Sequence, residues 1–133
     1  MKVLLDSNVI ISAFATRGLC FEIFALCLFE HEVITSQFIM EEVIKSLEED
    51  FGMPEDVTKN HRDILLKGTK VVVPLEVSPG ACHDPGDLKV LGTAWAGKAD
   101  VIITGDKHLL KLKDFKSIAI LTPREFWKRA ARK

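Results

Sequence analysis

The chain has 133 residues, of which 47% are hydrophobic and 28% charged. That is the balance of one globular domain spanning residues 1–133, and it excludes disorder and fibrous repeats. Net charge is −1, but it is unevenly spread: residues 1–97 sum to −7 and residues 98–133 to +6.

The three cysteines, Cys20, Cys27 and Cys82, form no C-x-x-C pair, which argues against a disulfide framework or a zinc site. Thiols of this kind fit a reducing cytosol. The start of the chain has no signal-peptide character, and no apolar run approaches the ~20 residues that span a bilayer. The expectation is a cytoplasmic protein with no membrane contact.

Val3, Leu4 and Leu5 form a short apolar run that stops at Asp6, Ser7 and Asn8, which reads as a buried strand ending in a polar turn. Residues 9–15 and 21–29 read as helices broken at Arg17 and Gly18. Residues 33–35 form a second strand. Ser36 caps a helix through residue 50, and a further helix runs from Pro54 to about Lys67. A valine-rich strand is predicted over residues 70–75. Asp84 and Pro85 open a helix to about Trp95. A buried strand at 99–104, a short helix at 107–112, a last strand at 118–121 and a helix capped by Thr122 complete the chain. Continuous apolar strands separated by helices indicate a parallel sheet covered on both faces, an α/β class. Sites in such sheets lie beyond the carboxyl ends of the strands, at a topological switch point.

Against that rule the acids are informative. Asp6 follows the first strand and Asp106 follows the strand at 99–104. Asp84 and Asp87 begin the helix that leads into the latter, and Glu41 and Glu42 lie in the first turns of the helix after the second strand. Each has a structural reading as a helix cap or a solvated residue. Together they bring carboxylates from four parts of the chain to one edge, where mutual repulsion favours a neutralising cation. Oxygen donors select Mg2+ or Mn2+, which can activate a water and stabilise charge developing on a phosphodiester. The chain has neither a G-x-S-x-G elbow nor a Gly-rich phosphate loop.

The stretch VLLDSNVIISA at residues 3–13 resembles the opening motif of PIN-domain nucleases. The block CHDPGDLKVLGTAWAGKADVIITGDKHLL at residues 82–110 resembles the second half of that domain, especially in the VapC-like branch of toxins from toxin–antitoxin pairs. The resemblance spans roughly residues 1–127. It implies a three-layer α/β/α domain with a parallel five-stranded sheet and a Mg2+- or Mn2+-dependent ribonuclease. By motif position it implies Asp6, Glu42, Asp87 and Asp106 as the catalytic metal ligands, with Asp84 as an outer or additional ligand. Asn8 and Thr104 fall where the family supports the carboxylates by hydrogen bonds. His83 stands where this branch is expected to carry an arginine. Lys107, Lys111 and His83 are candidate RNA contacts; Lys113, Lys116, Lys128, Arg129, Arg132 and Lys133 add basic charge. The implied partners are an RNA substrate, a small antitoxin protein and a second copy of the chain.

Two other readings, a signalling domain and a phosphatase, lack their residues. A receiver-type domain needs an acceptor Asp where Pro74 and Leu75 stand, and a haloacid-dehalogenase-type phosphatase needs an Asp where Asn8 stands. The remaining alternative is a catalytically weak or inactive PIN-like module that binds RNA or a partner.

Overall fold

The computed structural model describes residues 1–82 and 84–131, in which strands and helices alternate. Strand β1 (Lys2–Leu5) leads into α1 (Ser7–Ala15) and α2 (Leu19–Glu30). Strand β2 (Glu32–Thr35) leads into α3 (Gln37–Glu49) and α4 (Glu55–Gly68). Strand β3 (Thr69–Val71) continues as an extended strap into a 3-10 turn (Pro79–Ala81) and α5 (Pro85–Ala96). Then come β4 (Val101–Ile103), α6 (Lys107–Leu110), β5 (Asp114–Phe115), β6 (Ile118–Leu121) and α7 (Pro123–Ala131).

The sheet order is β3-β2-β1-β4-β6-β5. Five strands run parallel, as the sequence implied, with Val3 opposite both Val33 and Val101. The sixth is a correction to the five-stranded expectation. Strand β5 pairs antiparallel with β6 through Phe115 and Ile118. The turn between them holds Lys116 and Ser117 at φ 50 and 68. Two successive positive φ values suit a two-residue hairpin, but Lys-Ser is not the Asn-Gly pair that announces one.

Strand β3 is shorter than residues 70–75. Its ladder ends where the Val72 N–H donates to the Thr35 carbonyl at 2.9 Å. Pro74 has no N–H to continue it, and among the described residues β3 is an edge strand with no neighbour beyond. The chain turns instead across α5, where the Leu75 N–H donates to the Gly92 carbonyl at 3.0 Å. A Cβ on Gly92 would lie 2.2 Å from the Leu75 carbonyl oxygen, so only glycine admits this crossing.

Val3, Leu4, Leu5, Ile34, Ile102 and Ile103 are buried because helices cover both faces of the central strands. Right-handed crossovers carry the chain outward from β1 to β3 with α1 to α4 on one face. The return over α5 to β4 uses the other face; Gly97, just past α5, packs on Ile34. Strands β1 and β4 are neighbours from which the chain departs in opposite directions, so the crevice at their carboxyl ends is the switch point. In α2, Ile23, Phe24 and Cys27 belong to the core, while Phe29 is 93% exposed. The rest of the apolar run at 19–29 is half-buried or exposed. Among the described residues no single helix is long and apolar enough to cross a membrane.

Candidate active site

Asp6 is the first residue past β1 and the N-cap of α1. Its Oδ1 accepts the Ser7 N–H at 2.8 Å, so the capping role read from the sequence is real. Its other oxygen is engaged differently. Oδ2 accepts the Thr104 hydroxyl at 2.7 Å and the Asn8 amide at 3.4 Å. Thr104 is fully buried past the end of β4, and its hydroxyl also accepts the Asp106 N–H at 2.9 Å. Asn8 reaches back through Oδ1 to the Gly105 N–H at 3.3 Å. Thr104 and Asn8 therefore stitch the ends of β1 and β4 together around one carboxylate. Asp6 is only 4% exposed, and burial holds its carboxyl above the ordinary range. The bonds from Thr104 and Ser7 oppose that shift; the charges of Asp106 and Glu42 reinforce it.

Asp87 is the second buried acid, 7% exposed in the first turn of α5. Its carboxyl is pushed up to about 6, first by burial, then by its hydrogen-bonding contact with Asp106 and by the charges of Asp106 and Asp84. Asp84 caps α5 through the Gly86 N–H at 2.8 Å, and Asp106 caps α6 through the His108 N–H at 2.8 Å. The electrostatic links run from Glu42 to Asp6, Asp6 to Asp106, Asp106 to Asp87 and Asp87 to Asp84. All five predicted acids thus sit within one interacting set. Glu42, exposed like its neighbour Glu41, is the member whose charge Asp6 senses.

Among the described residues, no three His, Cys, Asp or Glu side chains are gathered tightly enough to form a ready-made metal cage. The chemistry of the donors still suits a hard divalent cation. The set is all oxygen, and two of its buried members are held above their ordinary range partly by like charge.

Beside these acids lies an open cleft of about 510 Å³ lined by Gly80, Ala81, Cys82, Asp84, His108, Lys111 and Leu112. Lys111 is therefore next to the acidic edge, and His108 joins it. Lys107 is exposed on α6. Lys116 lies over the Trp95 ring at 4.1 Å, which occupies its ammonium in a cation–π contact. Arg129 lines a different cavity with Met1 and Asp100, at the amino-terminal edge of the sheet and so opposite the acids. His83, Arg132 and Lys133 lie outside the described residues. The sequence reading missed Cys82, whose Sγ stands 3.6 Å from Asp87 Oδ2. No spacing rule marks a thiol five residues before a carboxylate across a helix start.

The PIN-domain family model matches residues 2–108. The chain belongs to the PIN-domain family. This is generally a family of nucleases, which supports a hydrolase role. An uncharacterized protein of Methanocaldococcus jannaschii, MJ1680, is 30% identical over 144 residues, covering 95% of this PIN domain's chain and 89% of its own. Solved structures share the fold at low identity. VapBC2 from Rickettsia felis, bound to a DNA fragment from their promoter, has a TM-score of 0.66 and 13% identity over 92% of this chain and 98% of that one. VapBC-1 from nontypeable Haemophilus influenzae gives 0.64 and 20% over 93% and 99%. PAE2754 from Pyrobaculum aerophilum gives 0.68 and 15% over 100% and 91%.

Proposed function

We propose that this single-domain PIN protein is a divalent-metal-dependent endoribonuclease and the toxin partner of a small antitoxin protein. The observation that carries the reading is the convergence of Asp6, Glu42, Asp87 and Asp106 at the switch point between β1 and β4, with Asp6 and Asp87 buried. Asp6, Glu42, Asp87 and Asp106 would hold Mg2+ or Mn2+, with Asp84 outside them. When bound, the cation supplies positive charge for the phosphodiester and an activated water. The protein's own share is orientation. Thr104 and Asn8 fix Asp6, and Asp106 is fixed through its backbone by Thr104. Lys111 and His108 in the adjoining cleft offer donors to the backbone of an RNA strand, with Lys107 on the flank. His83 is a further candidate RNA contact from the sequence alone.

The test is cleavage of labelled single-stranded and structured RNAs with Mn2+, with Mg2+ and with EDTA, beside Asp6→Asn. Metal-dependent cleavage that is lost in the variant supports the enzyme. Absence of both cleavage and metal binding in the native protein overturns it in favour of a binding module. The partner is supported by an open apolar groove of about 450 Å³ that includes Phe14, Phe21, Phe24, Leu28 and Ile64. The product of the adjacent gene should bind there and suppress cleavage; an Ile64→Asp protein that is still fully inhibited would count against that location. Sedimentation of the purified protein tests for the homodimer.

A further inference from the structure

The chain reaches α5 along a path that leaves little freedom. The strap is bonded to α5 through Leu75 and Gly92, and the Ala81 N–H closes the 3-10 turn on the Ser78 carbonyl at 3.0 Å. Cys82 follows at once, half-buried, at the inner rim of the cleft that also contains Asp84, His108 and Lys111. Its Sγ lies 3.6 Å from Oδ2 of Asp87, within the reach of a sulfur hydrogen bond. Asp87 otherwise faces other acids: Asp106, which also meets it in a hydrogen-bonding contact, and Asp84.

We propose that Cys82 is a positioning residue for Asp87. Its S–H donates to Oδ2 and helps hold in one orientation a carboxylate that would bind the cation. This inference rests on reading the acids as a metal site. Partners of this outer kind typically govern 10–100-fold in metal affinity or activity. A thiol is a weak donor, so the low end applies. The competing role is packing, since Cys82 also lies against the rim of the core. The two roles separate by substitution. Alanine removes the donor and little volume; serine restores a donor and removes apolar character.

The experiment is Mn2+ titration calorimetry on the native protein, Cys82→Ala and Cys82→Ser, with melting temperatures in EDTA and RNA cleavage across Mn2+ concentrations. Cys82→Ala should bind Mn2+ about tenfold more weakly. Its cleavage should fall at limiting Mn2+ and recover at saturation. Cys82→Ser should regain most of the affinity, and the three proteins should melt alike without metal. Native-like Mn2+ affinity in Cys82→Ala overturns the inference alone, as does a serine variant no better than alanine. A native protein that neither binds Mn2+ nor cleaves overturns the nuclease reading as well.

Discussion

Thr104 uses one hydroxyl twice, donating to Asp6 Oδ2 and accepting from the Asp106 N–H. Valine has the same shape without the hydroxyl. Hydrogen bonds to charged groups are worth roughly 1.5–3 kcal/mol, so Thr104→Val should destabilise by about 2 kcal/mol and weaken Mn2+ binding. Urea melts and calorimetry check both, and a neutral outcome would mean that Asn8 and Ser7 suffice to hold Asp6. Asp87 behaves in the opposite sense. Its environment favours the protonated form, so the carboxylate costs stability at pH 7.5. Asp87→Asn should therefore raise the melting temperature in EDTA while removing metal-dependent cleavage. After discounting for solvent screening the gain is about 1 kcal/mol. A lower melting temperature would show that Asp87 holds the first turn of α5 by bonds that asparagine cannot make. The residue types and chain positions of these acids were legible in the sequence. The thiol beside Asp87 and the double duty of Thr104 were not, because each depends on where a distant segment arrives.

At the scale of elements, the strap and the last helix give contrasting tests. Alanine at Gly92 meets the Leu75 carbonyl at 2.2 Å, whereas alanine at Gly80 meets only the Ser78 Oγ at 3.9 Å. Gly92→Ala should cost about 1–3 kcal/mol, the usual range for overpacking, and Gly80→Ala close to nothing. Equal stabilities would mean that the strap lifts off α5 freely. Helix α7 begins with a reciprocal cap. The Thr122 N–H donates to Glu125 Oε1 and the Glu125 N–H donates to Thr122 Oγ1, both at 3.0 Å. Those bonds hold the Glu125 carboxyl below its ordinary value. A depressed acid contributes its stability above the unfolded value, near 4.5, and loses it as pH falls through the folded value. Fluorescence of Trp127, two residues along α7, should report fraying below about pH 4.5, and Glu125→Gln should flatten that response. The helices were read to within a few residues because caps and apolar faces are local. β3 and β5 were not, since strand limits depend on the neighbour and on the hairpin turn.

At the scale of the whole molecule, the sheet edge decides which basic residues stand near the acids, and Lys111 lines the cleft beside them. Acids from β1, α3, α5 and β4 meet at the carboxyl edge, while Arg129 lies at the amino edge with Met1 and Asp100. Lys111→Glu should therefore raise KM for RNA with little change in kcat, and Arg129→Glu should leave both near native values. The reverse ranking would relocate the RNA path. A cation that binds only the assembled site must also stabilise it. At about 100 times Kd, Mn2+ adds about 2.7 kcal/mol, an increment that Asp6→Asn should lose.

Apolar runs, caps and polar strand ends are local properties, so the sequence by itself determined the α/β class, the parallel character of the main sheet and where along the chain the acids of the candidate site lie. Distances between separated segments arise only when the sheet closes and its crossovers choose their faces. The tertiary structure alone therefore decided that Arg129 leaves the site for the far edge and that Cys82 meets Asp87.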